Sequence, residues 1–279
     1  MNILGIDSSS KNLSVAISRN DKLLSEAVDY KGSGHIVNII AFIDKVLLKT
    51  NISLKDIDIF GVNLGPGDFT GTRIGVSVVK TLSWIESRSA YGINSLDVYA
   101  VMSAFENKSR IIRGLLSGRP VIIAPCLDVK KSEICFSFYN VTAEGKNSIY
   151  FKSEKKIIVY VKIKEKKYYL ERIGDYYLVH KDKLVKKFNN FFKNGVLEIT
   201  NTERGYINPL IIIGGNSYIS YRIIMQDLTR TGKGLILDKK SFCSQARYIN
   251  LCSYFKALKN VKSESLVPIY IREFIPFGD

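Results

Sequence analysis

The stretch LGPGDFTGTRIG, residues 64–75, joins an apolar run to a run with helical spacing. Residues 57–63 before it are apolar and predict a buried strand, and about residues 72–87 after it predict a helix. The glycines and the proline predict a tight turn between these two elements. Its polar residues offer three candidate helix N-caps, which are Asp68, Thr70 and Thr72.

The glycine spacing of this stretch decides which known phosphate grips it matches. A dinucleotide fingerprint requires GxGxxG, but Gly65, Gly67 and Gly71 give GxGxxxG. A P-loop requires a second glycine followed by Lys and Ser or Thr, and Thr72 stands where that glycine would be. A nucleophile elbow is a poor fit because the whole chain has two histidines. The stretch therefore predicts a strand, turn and helix unit and matches no standard catalytic turn.

The surrounding sequence indicates an α/β protein of two related lobes. The first part of the chain has the order βββαβα, which is typical of a mixed sheet covered by helices. Its predicted elements are strands at 3–6, 13–17, 23–28 and 57–63, a helix that residues 32–35 introduce and that runs to about residue 49, and a helix at about 72–87. The second half repeats the theme, with strands at 121–127, 134–139, near 149–151, 157–163, 168–173, 176–180 and 210–213, a helix after the GGN turn of 214–216, and a last helix at about 242–258.

We divide the chain into an N-terminal lobe, residues 1–118, and a C-terminal lobe, residues 119–279. The last helix is a candidate to pack back on the first lobe, and residues 150–190 form a lysine-rich expansion.

Composition favours a globular cytoplasmic protein. Hydrophobic residues make up 46% of the 279 residues, which is enough for a core. The N-terminus lacks a basic region followed by a long apolar run, and no stretch approaches the roughly 20 apolar residues that span a bilayer. We expect the four cysteines to be buried thiols because they form no CxxC pair; they are Cys126, Cys135, Cys243 and Cys252.

The formal net charge of +15 indicates an anionic partner, for which RNA is the obvious candidate. Residues 151–190 hold twelve lysines and arginines against five acidic residues, a net charge of +7. No known RNA-binding motif accompanies these lysines. We therefore favour a solvated lysine-rich face over a dedicated RNA surface, and keep the second interpretation open.

Several motifs together resemble the TsaB family, which is related to the threonylcarbamoyl transferase TsaD that modifies tRNA. They cover about the first hundred residues and the last dozen, whereas residues 140–205 do not match the family pattern. The motifs are DSSSKNLSVAI from residue 7, His35 at the start of the first helix, DIDIFGV from residue 56, LGPGDFTGTRIG, Ser95 with Leu96, and PIYIRE from residue 268.

The resemblance implies an actin-like fold of two ribonuclease H-like lobes, with mixed sheets flanked by helices. It also implies a non-catalytic subunit of the complex that makes N6-threonylcarbamoyladenosine in tRNA. The expected partners are a TsaD-like catalytic subunit in a heterodimer and a TsaE-like ATPase, with tRNA reached indirectly through the complex and no membrane. A homodimer of the isolated chain stays open.

The same resemblance raises the question of whether this chain binds a nucleotide. In this superfamily the first hairpin turn faces phosphates, with its aspartate near magnesium. The corresponding residues are Asp7, Ser8 and Ser9 in the first turn and Gly214 and Gly215 in the GGN turn. We favour a structural role for these groups and expect no cofactor and no metal site, which leaves weak ATP or ADP binding with magnesium open. The rival function is an active actin-like ATPase or phosphotransferase.

Helical spacing supplies an independent argument for a protein partner. On the first helix two apolar stripes lie nearly opposite each other. The broad one is expected to cover the sheet and consists of Ile36, Ile39, Ile40, Ile43, Val46 and Leu47; the second consists of Val37, Ala41 and Leu48. On the second helix Ile74, Val78, Leu82 and Ile85 are predicted to face inward, and a stripe of small residues to face outward. The predicted partner interface is His35, Val37, Ala41, Leu48, Gly71, Thr72, Arg73, Gly75, Val76, Val79 and Ser83.

Two members of this set are expected to have further contacts. A cation in the first turn of a helix is unfavourable with the helix dipole, so Arg73 is expected to have an acidic or carbonyl partner. It either braces the turn or reaches the partner protein. His35 at a helix start is expected to be a capping or interface residue and not a base.

Overall fold

The computed structural model describes residues 1–29, 35–143, 155–163, 166–193, 209–231, 235–238, 245–262 and 265–270. It divides the chain into two compact units. The first unit is Met1–Ser95 together with Ser244–Asp279, and the second unit is Leu96–Cys243. No helix among the described residues is long and apolar enough to cross a membrane.

The regular elements follow the predicted order, with several additions. The strands are β1 Asn2–Asp7, β2 Leu13–Arg19, β3 Lys22–Asp29, β4 Ile59–Asn63, β5 Ser89–Ile93, β6 Val121–Asp128, β7 Glu133–Ala143, β8 Lys155–Ile163, β9 Lys166–His180, β10 Leu210–Gly214 and β11 Leu235–Leu237. The helices are α1 His35–Thr50, α2 Phe69–Ile85, α3 Ser95–Glu106, α4 Lys108–Leu116, α5 Leu184–Lys193, α6 Ser217–Ser220, α7 Arg222–Thr231 and α8 Ala246–Leu258. Short 3-10 turns occupy Leu54–Asp56 and Lys181–Lys183.

The first unit is a five-stranded mixed sheet in the order β3-β2-β1-β4-β5. The first three strands pair antiparallel, whereas β1, β4 and β5 pair parallel. The central strands are buried on both sides, so they are apolar in near-continuous runs. Leu4 and Ile6 of β1 share a core with Ile39 and Val46 of α1 and with Val79 of α2.

The opposite face of this sheet is covered by α8. Gly5 of β1 and Gly61 of β4 stand opposite each other in register. A Cβ at Gly5 would overlap Asn250 of α8, and a Cβ at Gly61 would lie 2.5 Å from the Ser253 hydroxyl oxygen. Because neither strand has a side chain at this point, α8 approaches the sheet closely.

Asn250 fixes α8 on the sheet. Its amide Nδ2 lies 3.2 Å from the Ile3 carbonyl oxygen, 3.0 Å from the Ala16 carbonyl oxygen and 3.1 Å from Ser18 Oγ, and its two N–H groups are shared among these acceptors. The side chain is fully buried. Since these acceptors lie on β1 and β2, one amide ties α8 to two neighbouring strands.

The second unit is a six-stranded mixed sheet in the order β11-β10-β6-β7-β9-β8. Its core joins Phe136 and Phe138 of β7 to Phe188 of α5, with ring centroids 4.9 and 5.3 Å apart. The strands predicted at 168–173 and 176–180 are one strand, β9, which passes through Gly174 at φ +69°. The strand predicted near 149–151 lies outside the described residues.

The division between the units differs from the predicted boundary after residue 118. It follows Ser95, since α3 and α4 belong to the second unit. Gly114 of α4 lies close to Val121 of β6 and Leu210 of β10, so α4 packs on that sheet. The end of the chain returns to the first unit because α8 covers its sheet. No predicted element corresponds to α3, α4, α5, β5 or β11.

We expect Asn250→Ala to lower the free energy of unfolding by about 1–3 kcal/mol, because the buried carbonyls of Ile3 and Ala16 would lose their donor. Urea unfolding followed by circular dichroism measures the change. Arg247→Ala, on the exposed side of the same helix, is the control and is expected to stay within about 0.5 kcal/mol of the parent. Equal effects of the two variants would contradict the anchoring role of Asn250.

Candidate functional site

The start of α2 lies directly against the turn that follows β1. Asp68 is the N-cap of α2, and its Oδ2 accepts a hydrogen bond from the Gly71 amide at 2.9 Å. The Asp68 amide donates to the Ser9 carbonyl at 2.6 Å. The Ser8 hydroxyl donates to the Gly71 carbonyl at 2.7 Å. Helix start and turn are thus one hydrogen-bonded unit, and of the three candidate N-caps the structure selects Asp68.

The glycines of the LGPGDFTGTRIG stretch allow the start of α2 to approach the β1–β2 turn this closely. A Cβ at Gly67 would overlap the Ser9 carbonyl oxygen, and a Cβ at Gly71 would overlap the Ser8 carbonyl oxygen. A Cβ at Gly75 would overlap the Ser8 hydroxyl. Gly71 and Gly75 were predicted to let a partner backbone come close. They instead admit the chain's own β1–β2 turn, which corrects their place in the partner interface.

This packing also decides how well the first turn fits a nucleotide. Asp7, Ser8 and Ser9 are almost completely buried. Asp7 Oδ1 accepts from the Ser9 amide at 3.0 Å and from the Ser9 hydroxyl at 2.7 Å, while the Ser8 hydroxyl binds within α2. A phosphate would have to displace the first turn of α2 from these groups. The residues of the turn do not fit a phosphate in this arrangement.

The other two nucleotide candidates lie in the second unit. Gly214 ends β10, and Gly215 follows at φ +100°. A Cβ at Gly215 would overlap the Cys126 carbonyl oxygen on β6. The Ser217 hydroxyl donates to the same carbonyl at 2.7 Å. The contact with β6 therefore determines the shape of the GGN turn. It explains why glycine stands at position 215 without invoking a ligand.

The face of α2 that was predicted to point outward is largely buried. The stripe of small residues that was predicted to point outward faces the core instead. Val79 is fully buried in the core of the first unit, and Val76 is 3% exposed. Thr72 is also buried, and its hydroxyl donates to the Asp68 carbonyl at 2.7 Å. Ser83 is half-buried. Small residues face the sheet because the helix start lies so near the β1–β2 turn.

The larger stripe of α2 lies at the edge of the core, and only its C-terminal end is exposed. Ile85, predicted to be inside, is 59% exposed, and Trp84 is 81% exposed. The side chains of Ile74, Val78 and Leu82 are half-buried at the edge of the core. An apolar second face therefore exists on α2, but it consists of large residues and not of the small ones.

On α1 the prediction of two faces agrees with the exposure of most of its described side chains. Ile39, Ile43 and Val46 are buried, whereas Ala41 is exposed and Leu48 is 81% exposed. Ile40, predicted to face inward, is instead exposed. His35 begins α1, but its side chain and that of Val37 lie outside the described residues.

We give the name outer helix face to a set of eight exposed or half-buried apolar residues on these two contacting helices. Its members are Ile40, Ala41, Leu48, Ile74, Val78, Leu82, Trp84 and Ile85.

Among the described residues, the partners of Arg73 are aromatic, whereas an acidic or carbonyl partner was expected. Its Nε donates to the Tyr270 hydroxyl at 2.7 Å, and its guanidinium carbon lies 3.7 Å from the centroid of the Phe69 ring. The Ile269 amide donates to the Leu64 carbonyl at 2.7 Å. Arg73 thus holds the segment 265–270 beside the start of α2, which sequence reasoning did not connect to it.

The described cysteines are buried thiols. Cys126, Cys135 and Cys252 are free thiols and are buried. Burial raises the pKa of Cys135 to about 12 and raises that of Cys126 still further. These two thiols are therefore protonated at neutral pH. Cys243 lies outside the described residues. Among the described residues, no group of three or more His, Cys, Asp and Glu side chains is placed to hold a metal ion.

Sequence reasoning missed a buried polar network in the second unit. The Tyr139 hydroxyl donates to Asp97 Oδ1 at 2.7 Å, and Arg172 Nη1 lies 3.7 Å from the same oxygen. Burial, followed by the Asp97 charge, raises the pKa of Tyr139 well above its ordinary value. The network joins α3 to β7 and β9, and because α3 was not predicted, no sequence signal pointed to it.

Two mixed sheets flanked by helices define the class: an actin-like protein of two ribonuclease H-like lobes, as predicted. YeaZ from Pseudomonas aeruginosa has the same fold, with a TM-score of 0.64 at 15% identity over 97% of this chain and 99% of that one. A family model described as "TsaD: tRNA N6-adenosine threonylcarbamoyltransferase" matches residues 30–150.

Sequence relatives point to a smaller group of proteins within this fold class. The protein TsaB of tRNA threonylcarbamoyladenosine biosynthesis from Bacillus subtilis is 29% identical over 139 residues, 50% of this chain and 55% of the relative. TsaB from Buchnera aphidicola of Schizaphis graminum is 35% identical over 98 residues, 35% of this chain and 46% of the relative. The chain thus spans about half the length of these relatives. The chain is similar to TsaB proteins over these parts of their length, in agreement with the resemblance that its sequence motifs predicted.

The contact between Gly75 and Ser8 generates a prediction about stability. Gly75→Ala should lower the free energy of unfolding by about 1–3 kcal/mol, because the new methyl group overlaps the Ser8 hydroxyl. Adding Ser8→Ala should recover part of this loss, since a Cβ at Gly75 lies at an ordinary 3.7 Å from Ser8 Cβ. A double-mutant cycle in urea measures the coupling.

Gly71→Ala is the matched control for that cycle. Its methyl group would overlap the Ser8 carbonyl, which no side-chain change removes, so Ser8→Ala should give no rescue. Additive effects of Ser8→Ala and Gly75→Ala would mean that the two residues do not touch as described.

Proposed function

We propose that this chain is a non-catalytic subunit of the machinery that makes N6-threonylcarbamoyladenosine in tRNA, and that it pairs with a TsaD-like catalytic subunit through the outer helix face. Similarity to TsaB proteins over about half of their length supports a role in this pathway. The observation that carries the pairing is the exposure of large apolar side chains on α1 and α2, above all Leu48 and Trp84. Apolar patches on a helix surface mark sites of protein contact.

The similarity to the TsaD family model supports this choice of partner. The matched range, residues 30–150, includes both helices of the outer helix face. A related subunit would present equivalent helices, and two such pairs can meet about a pseudo-twofold axis as four packed helices. Trp84, the chain's one tryptophan, is the residue type that most often dominates the binding energy of such a contact.

The arrangement of polar groups supports a non-catalytic role. The hydroxyls of Ser8 and Ser9 and the carboxylate of Asp7 take part in hydrogen bonds within the first unit. The chain has two histidines, His35 and His180, which are too far apart in sequence to form the HxxxH metal pair of the transferase family. In this proposal the partner carries out the transfer, a TsaE-like ATPase resets the complex, and tRNA is reached through the partner.

We expect Leu48→Glu and Trp84→Glu each to weaken binding to the TsaD-like protein of the same organism by about 30-fold or more, as loss of a hot-spot residue does. The monomer should stay folded because both side chains are exposed. Co-expression with size-exclusion chromatography, followed by calorimetry, measures the affinity. Leu116→Glu is the matched control, since Leu116 is equally exposed on α4 of the second unit. Retention of full affinity in both test variants would contradict this interface.

The role itself is tested by assaying tRNA modification. The TsaD-like protein with its synthase and ATPase should form threonylcarbamoyladenosine at least tenfold faster when this chain is present, and Trp84→Glu should remove most of that gain. Calorimetry of the isolated chain with ATP and magnesium distinguishes the proposed function from its rival, an active actin-like ATPase or phosphotransferase. Tight, magnesium-dependent binding there, or a reaction that proceeds equally well without this chain, would overturn the proposal.

A further inference from the structure

We propose that the second unit carries a surface that binds RNA phosphates directly, built by the hairpin tip between β6 and β7 and by the beginning of α5. We call it the lysine surface. This goes beyond the proposed function, in which tRNA is reached through the catalytic partner. The members of the lysine surface are Lys130, Lys131, Lys181, Lys183, Lys186 and Lys187.

The positive charge of this chain is concentrated in one unit. Residues 96–243 contain 26 lysines and arginines against 14 acidic residues, a net charge of +12. The first unit contains 15 against 12, a net charge of +3. A general bias toward lysine would charge both units alike. The asymmetry therefore favours a local cause, which is the interpretation that the sequence had left open.

Contacts bring the two parts of the lysine surface together. The Lys181 amide donates to the Ser132 carbonyl of the hairpin tip at 2.7 Å. The Lys181 ammonium lies 5.7 Å from the centroid of the Tyr221 ring, and the Tyr221 hydroxyl donates to Asp128 Oδ1 at 3.2 Å. The same oxygen accepts from the Lys130 amide at 2.9 Å. Lysines far apart in sequence are thus fixed on one end of the sheet.

The hairpin tip presents its lysines in an unusual backbone conformation. Lys130, Lys131 and Ser132 have φ of +66°, +52° and +62°. Glycine or asparagine adopts this region more readily than lysine does. Both lysines are exposed. A turn that needs only this geometry has no reason to place two lysines there, whereas a phosphate-binding surface does.

The described part of α5 adds a polar, cationic side. Leu184 and Phe188 are buried in the core, whereas Lys186, Lys187 and Asn190 are exposed. None of the exposed large apolar side chains lies on this described part of α5. A helix that lies in a membrane interface needs apolar residues to insert beside its lysines. The described side of α5 therefore offers cations without an apolar anchor, which suits a nucleic acid.

Acidic groups beside the lysine surface are fewer and are engaged. Asp128 accepts the hydrogen bonds already described, and Asp182 Oδ2 lies 3.2 Å from His180 Nδ1. Glu133 lies opposite His180 in the backbone pairing of β7 with β9. Six lysines against these three acids leave a local excess of positive charge, and such an excess binds the phosphates of nucleic acid by releasing their counterions.

The test measures binding of an unmodified tRNA transcript to the full chain by fluorescence anisotropy, between about 50 and 200 mM salt. The parent chain should bind without any partner protein, and its affinity should fall steeply with salt. The variant Lys130→Gln, Lys131→Gln, Lys183→Gln, Lys187→Gln should bind at least tenfold more weakly. Its log–log salt dependence should be shallower by about 3, since each lost phosphate contact removes roughly 0.7–0.9 from the slope.

The matched control removes the same charge from the first unit, with Lys22→Gln, Lys55→Gln, Lys259→Gln and Lys262→Gln, all of them exposed. It should retain at least half of the affinity. Equal losses in both variants would show a response to net charge alone and would overturn the proposal. So would the absence of tRNA binding by the parent, or binding to anionic phosphatidylserine vesicles in preference to tRNA.

Circular dichroism and the affinity for the TsaD-like protein separate this proposal from the proposed function. The lysine variant should be folded and should still form the heterodimer, because the outer helix face is unchanged. If the parent chain fails to bind the TsaD-like protein but binds tRNA, only the proposed function is contradicted. A chain that binds its partner but whose affinity for tRNA is unchanged by the lysine variant would sink this inference alone.

Discussion

The first unit depends on a contact between backbones. The start of α2 packs against the carbonyls and hydroxyls of Ser8 and Ser9 with no side chain between them, because Gly67, Gly71 and Gly75 leave that space open. The Asp68 amide and the Ser8 hydroxyl close the joint with hydrogen bonds. Overlaps with backbone atoms cannot be relieved by a rotamer change, so this joint fixes the height and angle of α2 above the sheet.

The other face of the same sheet is built in a similar way. Gly5 and Gly61 leave a shallow depression across β1 and β4, and α8 lies in it with the Asn250 amide bonded to β1 and β2. A helix from the end of the chain thereby completes the first unit. Both helical layers are held close, so the sheet is buried on both sides and its central strands are apolar throughout.

This close packing has consequences for function. The β1–β2 turn packs directly against the protein's own helix α2, which supports the proposed non-catalytic role. The same packing turns the small residues of α2 inward and leaves Trp84 and Ile85 outside, where they are available for contact. In the second unit, the excess of lysine gives a separate surface with a different chemistry, suited to phosphate and not to an apolar face.

By itself the sequence determined the α/β class, the order of strands and helices in the first unit, and the turn that begins α2. These follow from local causes, namely apolar periodicity, glycine and proline in turns, and an N-cap aspartate. The family motifs added the actin-like fold. The site was only partly predictable: Leu48 and Ala41 were placed outside correctly, whereas Val76, Val79, Gly71 and Gly75 were assigned to the wrong side.

Tertiary structure alone decided those faces. A helical wheel ranks faces by hydrophobicity and expects the larger residues inside, but a helix pressed onto a neighbouring backbone needs small residues inside. Long-range contacts also decided the return of α8 to the first unit, the place of α3 and α4 in the second, and the pairing of Arg73 with Tyr270. Each of these joins residues far apart in the chain, and local sequence patterns carry no information about such distances.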